Sequence, residues 1–329
     1  MKFRLIAYGA IAAAFLIAAA LLISRPAAAQ SKAPAVTCIG CSVDGKTTPR
    51  LPDGHPDLNG FWGGLSGGAA PGGDHISARS VDGSVLFDFG GADINAQGQN
   101  RSAIHTGDNE GWSVGSPKPE DNPVYKPEYD AKVKAIAARD FGAANRDDPA
   151  YNCTPLGVPR GAFGGPMQIV QTDKQVGIFF ENLLNNRLIY VDGRAHPNPE
   201  DFDTFQMGHS IAHWEGDTLV VDTTGLSDDT WLAGSFYAPK FAILHSDKEH
   251  VIERWTRSGD TLTWEATVED PVMFAKPWVM HPRKLTHANA KDTDFLQPTA
   301  CSPTPPDLIS VPNGDDQFYC NYCVAPKKK

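Results

Sequence analysis

The chain is poor in basic residues, with 29 Lys and Arg against 39 Asp and Glu and a formal net charge of −10. An acidic surface repels nucleic-acid phosphates and anionic lipid headgroups. We therefore expect no nucleic-acid partner and, once an export signal is removed, no membrane partner. The basic run Lys327-Lys328-Lys329 is typical of a solvated tail.

Signatures of common cofactors are also scarce. Neither Cys-x-x-Cys pair is followed by His, as covalent haem attachment requires. We identify no dinucleotide fingerprint and no phosphate-binding loop. We therefore predict no cofactor. The partner we expect is a small molecule, and the sequence leaves the oligomeric state open.

The first 29 residues have the features of a secretory signal. Lys2 and Arg4 form a short basic region, Leu5 to Ile23 is uncharged and almost wholly apolar, and Ala27-Ala28-Ala29 gives an A-x-A cleavage pattern. An uncleaved anchor is the alternative, because the apolar stretch approaches the roughly 20 residues that span a bilayer. We predict cleavage before Gln30 and a periplasmic or secreted protein.

Six cysteines follow the signal, an even number that favours disulfides in an exported protein. Two Cys-x-x-Cys pairs stand far apart in the chain, and four such thiols can hold zinc tetrahedrally. We rank disulfides above zinc because an exported protein meets an oxidising compartment. The cysteines are Cys38, Cys41, Cys153, Cys301, Cys320 and Cys323.

The hydrophobic pattern predicts a mainly β protein. Residues 127–140 form the one convincing helix, with Pro127 in its first turn. From residue 168 onward the period is two. Gly216-Asp217 separates the strand-like runs His209–Glu215 and Thr218–Thr224, as a hairpin turn does. Gly259-Asp260 separates the runs Val251–Arg257 and Thr261–Glu269 in the same way. Successive strands without helices must protect their edges, so we expect an antiparallel barrel or closed sheet with long N-terminal loops.

This pattern sets the predicted organisation of the chain. Residues 1–29 are the signal and 30–57 an extended lead-in. Residues 58–297 form a single β-rich domain. Residues 298–329 are a Pro-rich, Cys-containing tail.

Several motifs together resemble a family of exported bacterial proteins of unknown function. They include Leu51 to Trp62 (LPDGHPDLNGFW), Asp148 to Arg160, Arg187 to Arg194, and Trp214 to Thr223 (WEGDTLVVDT), the most distinctive of them. The resemblance covers roughly residues 50–280 and implies export and a β-rich fold.

Two further points depend on this resemblance. Cys153 and Cys320 stand in matching stretches, so the resemblance implies a disulfide between them, with Cys301 as the alternative partner of Cys153. The chain departs from the family pattern at His209, where Tyr is usual, and at His213, where Arg is usual.

Alternate residues of a strand share a face, which groups His209, His213 and Glu215 opposite Trp214. Two imidazoles and a carboxylate suit acid–base catalysis near neutral pH. A solvated outer face with Trp214 in the core explains the same pattern. We predict no metal there, because four residues of strand separate the imidazoles by roughly 13 Å.

Other ionisable residues lie beside apolar strands. Asp222 is either catalytic or paired structurally with Arg187 or Arg194. Glu253 and Arg254 are neighbours and point to opposite faces, so one of them must face the interior or sit at the edge of the sheet. His245 is a further acid–base candidate, and Ser246 next to it makes a hydrolase conceivable. For substrate binding we propose Arg160, in a Gly-rich loop, together with Glu181 and Arg187.

These residues favour a cofactor-free lyase or isomerase that acts on a small apolar or aromatic molecule inside the barrel. Its predicted catalytic residues are His209, His213, Glu215, Asp222 and His245. The first alternative is a periplasmic protein that binds such a molecule without catalysis, since small barrels hold one ligand or fill with side chains. The second alternative is a hydrolase.

Overall fold

The computed structural model describes nine stretches of the chain: residues 38–63, 76–89, 122–138, 148–149, 153–163, 167–180, 186–234, 242–280 and 282–287. All of them belong to the unit Cys38–Lys329. Among them, no helix is both long and apolar enough to cross a membrane. The predicted signal and the predicted C-terminal tail lie outside these stretches.

Strands dominate the described residues, as predicted. In chain order they are β1 Gly60–Trp62, β2 Ile76–Ser80, β3 Val85–Phe89, β4 Val124–Tyr125, β5 Met167–Gln171, β6 Gln175–Phe180, β7 Asn186–Tyr190, β8 His209–Glu215, β9 Thr218–Thr224, β10 Ala233–Gly234, β11 Ala242–Ile243, β12 His250–Ser258, β13 Thr261–Glu269, β14 Trp278–Val279 and β15 Arg283–Thr286.

The main sheet has 10 strands and curls on itself. Its order is β1-β5-β6-β7-β8-β9-β12-β13-β14, and β15 also pairs with β13. The edges meet because His287, just after β15, forms a bridge with Trp62 of β1, and Gly63 N donates to Thr286 O at 3.1 Å. The predicted antiparallel barrel or closed sheet is therefore confirmed.

One pairing in this barrel runs the other way. β7 and β8 are parallel, with Ile189 opposite Ser210. Parallel neighbours need a crossover connection, because a tight hairpin can join only antiparallel strands. Residues 191–208 make this crossover, which contributes side chains to the outer surface beside β8.

Strand alternation places large apolar side chains on the inner face of the barrel. On β12 and β13 the inner rows contain Val251, Trp255, Trp264 and Val268, all buried. Trp255 lies opposite Trp264, and their rings meet edge to face at 6.3 Å between centroids. Polar residues take the alternate positions, because those positions face away from the core.

The two predicted Gly-Asp hairpins are confirmed, and a glycine with positive φ begins each turn. Gly216 has φ 60° between β8 and β9, and Gly259 has φ 58° between β12 and β13. Residues with side chains avoid this region, so glycine there permits tight turns and fixes the register of both pairs.

The predicted helix, α1, is Pro127–Ala137, three residues shorter than expected. Pro127 occupies the first turn, where its missing N–H costs nothing. Val133 and Ile136 are its buried residues. Tyr125, just before the helix, is fully buried and joins the backbone of Leu244 through its hydroxyl, which anchors this region to the loop before β12.

The described part of the predicted lead-in contains turns and bends that bond to the barrel. Ser42 N donates to Asp260 at 2.9 Å, and Arg50 pairs with Asp217 at 2.7 Å. Arg257, buried in the barrel, donates to the carbonyl of Gly40 at 2.6 Å. Residues 38–57 are thus held against two hairpin turns.

Candidate functional site

Inside the barrel, Arg187 and Glu253 form a buried ion pair at 2.5 Å. Arg187 also donates to Ser210 at 3.1 Å and to Thr223 at 2.7 Å. The second carboxylate oxygen of Glu253 accepts from Trp264 Nε1 at 2.8 Å. Burying charges is tolerable when they are paired and hydrogen-bonded in this way.

This inner cluster settles two predictions made from the sequence. Glu253 faces inward while Arg254 faces outward and pairs with Glu215 at 2.9 Å, as strand alternation requires. The proposed pairing of Arg187 with Asp222 is wrong, because Arg187 lies on the inner side of the sheet and Asp222 on the outer side.

The predicted catalytic face of β8 lies outside the barrel. His209, His213 and Glu215 project outward, whereas Ser210 and Ala212 are buried. A substrate inside the barrel would not meet that face. His213, 65% exposed, contacts Glu215 at 3.2 Å and stands apart from His209, four residues earlier in the strand.

A hydrogen-bonded relay of three histidines and two carboxylates crosses the outer rim. His209 Nδ1 is 2.9 Å from His196 Nδ1, and His196 Nε2 is 3.1 Å from Asp222 Oδ1. The same oxygen is 2.9 Å from His250 Nε2, and His250 Nδ1 is 3.4 Å from Glu269. His196 comes from the crossover, and the others come from β8, β9, β12 and β13.

The partners assign the tautomers in this relay. A carboxylate only accepts, so His196 Nε2 donates to Asp222. When His196 is neutral, its Nδ1 must then accept, and His209 Nδ1 is the donor. His209 Nε2 is left with a lone pair, and it has no hydrogen-bond partner among the described residues. That nitrogen is the basic atom of the relay.

The surroundings shift the pKa values of His209 and His250 in opposite directions. Burial, with His196 and Arg194 nearby, lowers the pKa of His209 below 6.5. The hydrogen bond to Asp222 raises the pKa of His250 above 6.5. The hydrogen bond from His250 lowers the pKa of Asp222, although partial burial opposes it. The relay therefore joins a histidine whose neutral form is favoured to a histidine–carboxylate pair whose charged forms are favoured.

Aromatic rings surround the basic end of this relay. Tyr190 stacks against His209 with centroids 5.5 Å apart, and Phe202 meets it edge-on at 5.7 Å. Arg194 lies over Tyr190, 3.7 Å from the ring centroid, while it pairs with Asp192. The relay thus combines a titratable base with an aromatic wall on a partly exposed surface.

His245 belongs to a second, buried cluster. Its Nε2 is 2.9 Å from Thr230 Oγ1, and its Nδ1 is 2.7 Å from Glu249 Oε2. Neither Glu249 oxygen has a hydrogen bond of regular geometry, so the pair is mainly electrostatic. Burial raises the pKa of Glu249. Burial by itself would lower the pKa of His245, but the nearby Glu249 carboxylate outweighs this effect, and the pKa of His245 is raised.

The His245–Ser246 pairing on which the hydrolase alternative depends is not formed. Ser246 Oγ donates to Asp270 at 2.9 Å, and Thr230 takes the place beside the imidazole. Thr230 is 4% exposed, so a substrate carbonyl has no approach to its hydroxyl in this structure. A Gly-x-Ser-x-Gly spacing at residues 64–68 lies outside the described residues.

Two of the three residues proposed for substrate binding, Arg160 and Arg187, lie in separate ion pairs. Arg160 is buried in a short 3₁₀ turn, Arg160–Phe163, and pairs with Asp148 at 2.6 Å. Arg187 is in the inner cluster, and Glu181 lies outside the described residues. Arg160 and Arg187 therefore each belong to a buried structural ion pair.

The cysteine predictions are partly answered. Cys38 and Cys41 form a disulfide with Cα atoms 5.6 Å apart. Cys153 is also disulfide-bonded, and its partner lies outside the described residues. Cys301, Cys320 and Cys323 lie there too, so the Cys153–Cys320 pairing remains a prediction.

The sequence prediction overlooks one spacing match, Gly-x-x-x-x-Gly-Lys-Thr from Gly40 to Thr47. In the structure this stretch is a series of bends in which Asp44 accepts from the backbone of Lys46 and Thr47. No helix follows it in residues 48–63, whereas a phosphate-binding loop leads into a helix. The match therefore gives no reason to add a nucleotide.

Sequence reasoning missed His196, His250, Thr230 and Glu249. His250 stands just before the run Val251–Arg257 that was predicted as a strand, and its place beside Asp222 depends on the pairing of β9 with β12, which was not predicted. No local pattern identifies His196 or Thr230, because each lies in a connection and reaches its partner only through the tertiary fold.

Comparison of the chain with known protein families, with curated proteins and with solved structures finds no match in any of the three. The evidence for function is therefore the geometry of the clusters themselves.

Proposed function

We propose that the protein is a cofactor-free lyase or isomerase that removes a proton from a small apolar or aromatic molecule at the outer rim of the barrel. The observation that supports this best is the relay His209–His196–Asp222–His250, with opposite pKa shifts at its two ends. Pairs of titratable groups whose pKa values are shifted in opposite directions are typical of acid–base sites.

The proton path follows from the tautomers. His209 Nε2 takes the substrate proton, and the proton on His209 Nδ1 passes to His196 Nδ1. The imidazolium formed on His196 is stabilised by Asp222. His250, which also lies near Glu269, donates to Asp222 and holds this carboxylate in place. If the proton returns to another atom of the substrate, the reaction is an isomerisation. If the substrate instead expels a leaving group after losing the proton, the reaction is an elimination.

The aromatic wall indicates the substrate class. Tyr190 and Phe202 offer ring faces and edges on either side of His209, which favours a flat apolar or aromatic molecule. The acidic net charge of the chain favours a neutral substrate over a polyanion.

Solvent deuterium exchange tests the proposal without knowing the product. The full chain is incubated in D₂O with a panel of aromatic ketones, β-hydroxy acids and allylic acids, and mass spectrometry measures carbon-bound deuterium. His209→Asn keeps a donor near the position of Nδ1 and removes Nε2. We expect it to lower exchange by about 10²–10⁴-fold, the usual contribution of a general base.

His213→Asn is the matched control, because His213 lies on the same outward face but outside the relay. It should leave exchange unchanged. Equal loss in both variants, or exchange that persists in His209→Asn, would contradict the proposal.

A second candidate function, binding of a small aromatic molecule inside the barrel, is favoured by Trp255. Its Nε1 is buried and has no hydrogen-bond partner among the described residues, so it is a donor available to a ligand acceptor. Tryptophan fluorescence during titration with aromatic carboxylates and ketones tests this function. Trp255→Phe keeps the ring and removes the donor, and should weaken any binding that depends on it.

A further inference from the structure

Three possible metal ligands meet where the first and last strands close the barrel. Cys38 and Cys41 lie on a turn that precedes β1, and His287 directly follows β15. One atom from each lies within 4.8 Å of the others, the only such group of His, Cys, Asp and Glu among the described residues. His287 Nδ1 is 3.9 Å from Cys38 Sγ and 3.5 Å from Cys41 Sγ.

A hydrogen bond on the far side of the imidazole fixes its tautomer. His287 Nε2 is 3.2 Å from the carbonyl oxygen of Asn59. The carbonyl only accepts, so Nε2 carries the proton and Nδ1 presents a lone pair to the two sulfurs. Histidines that bind metals almost always make such an outer hydrogen bond, which also raises the basicity of the ligating nitrogen.

The disulfide leaves this lone pair without a donor. Disulfide sulfurs carry no proton, and His287 is 8% exposed, so its Nδ1 is largely removed from water. A buried acceptor without a partner is costly. Two thiolates and a cation would resolve this, because the cation would be bound by both sulfurs and by the Nδ1 lone pair.

The backbone is shaped closely around the imidazole. A Cβ atom at Gly60 would lie 2.3 Å from His287 Nε2, and Gly60 has φ +119°. Trp62 meets His287 edge-on, with centroids 4.7 Å apart. The position of His287 is thus set by rigid neighbours, as a ligand site requires.

A buried cation also adjoins the cysteine turn. Arg257 is 3% exposed and donates to the carbonyl of Gly40, between Cys38 and Cys41. A nearby positive charge favours thiolate over thiol, and the thiolate is the form that binds metals.

We propose that the reduced Cys38–Cys41 pair and His287 bind one Zn²⁺ through two thiolates and an imidazole, with a fourth position open to water. A dithiol reductant supplies two electrons and two protons to the disulfide and is itself oxidised to a disulfide. Zinc binding then releases the two cysteine protons. The oxidised pair remains the disulfide that the structure contains, so the site is redox-dependent.

Metal titration of the full chain tests the site. After reduction with a phosphine, competition with a chromogenic chelator measures Zn²⁺ affinity and stoichiometry, and Co²⁺ substitution reports thiolate-to-metal charge transfer. We expect one tight Zn²⁺ and a thiolate–cobalt band in the reduced protein, with neither in the oxidised protein.

His287→Gln is the decisive variant, because its amide retains a donor for Asn59 but lacks the ligand at Nδ1. We expect Zn²⁺ binding to weaken by more than about 100-fold, the upper range for losing an outer hydrogen-bond partner. Cys41→Ser should do the same and reduce the cobalt band. It is nearly isosteric, so it provides the test if His287→Gln does not fold.

The other Cys-x-x-Cys pair supplies the control. Cys320→Ser/Cys323→Ser should retain His287-dependent Zn²⁺ binding. Unchanged affinity in His287→Gln, or reduced protein that binds no Zn²⁺, would overturn the proposal, whatever the other pair binds.

Discussion

Strands β8, β9 and β12 have two polar faces, and their chemistry differs. The inner cluster is sealed, with Arg187 and Glu253 almost wholly buried and joined to Ser210, Thr223 and Trp264. The outer relay is partly exposed, with Asp222 36% and His250 33% accessible. His209 and Ser210 are consecutive, as are Asp222 and Thr223, so a shift of one residue separates the two environments.

This difference shows where stability and function are expected to lie. A charge pair sealed in the core must be kept intact, since either charge alone is expensive. A relay in contact with water tolerates changes in protonation, because solvent and neighbouring groups compensate for them. The inner cluster therefore suits a structural role, whereas the outer relay suits proton transfer.

The largest expected effect is on the inner face. Glu253→Leu leaves Arg187 buried without its carboxylate and should lower the free energy of unfolding by about 3–5 kcal/mol. Urea denaturation measures this. The double variant Arg187→Met/Glu253→Leu should recover much of the loss, because no lone charge remains. A double variant no more stable than the single one would show that the pair itself supports the fold.

A smaller effect is expected in the buried cluster around His245. Thr230→Val removes the hydroxyl next to His245 Nε2 and leaves that nitrogen buried without this partner. We expect a loss of about 1–3 kcal/mol in urea denaturation. Thr230→Ser keeps the hydroxyl and should cost clearly less. Equal losses would assign the effect to packing of the methyl group.

On the outer face, substitutions should change the pKa values of the histidines more than they change the free energy of unfolding. NMR titration of the histidines should give His209 a pKa below 6.5 and His250 a pKa above 6.5. Asp222→Asn should bring the pKa of His250 down, because it removes the carboxylate that favours the imidazolium. An unaltered His250 titration in this variant would contradict the hydrogen bond between them.

The sign of the pH dependence follows from these shifts. The stability that His250 contributes is complete below pH 6.5 and is lost as pH rises through its raised folded pKa. His209 acts in the opposite sense, because its folded pKa is lowered. The contribution of His209 to stability therefore rises with pH between its lowered folded pKa and 6.5. Asp222 contributes above pH 3.8, and its contribution is lost as pH falls through its lowered pKa.

The smallest effect on stability is expected at a solvent-exposed ion pair. Arg50 and Asp217 meet at 2.7 Å with 46% and 52% of their side chains exposed. Asp217→Asn should leave the urea midpoint within experimental error, since solvent screens such pairs and ordering them costs side-chain entropy. A measurable drop would mean that this pair holds the segment before β1 against the barrel.

Much of the fold could be predicted from local sequence. The bounds of β8, β9 and β13 agree with the predicted strands because β-branched and aromatic residues alternate between glycine turns. The short strands β1 and β15 were missed, since three or four residues carry too little pattern. β1 pairs with β5, more than a hundred positions away, which only the closed barrel brings together, whereas β15 pairs with β13, which is close in the chain.

The candidate site was only half predictable. His209 and Asp222 could be placed on strand faces by alternation, but the relay needs His196 from a crossover whose path is set by the parallel pairing of β7 and β8. The same limit explains the wrong partner proposed for Arg187. Alternation groups residues into two faces, and it does not state which face is the interior.

By itself the sequence determined the mainly β fold, the two Gly-Asp hairpins and the separation of Glu253 from Arg254, because these depend on the two-residue period of a strand and the freedom of glycine at positive φ. The tertiary structure decided which face is buried, which carboxylate each cation meets, and that His287 lies against the Cys38–Cys41 turn. These contacts join residues far apart in the chain, and only the closure of the sheet fixes the distances between them.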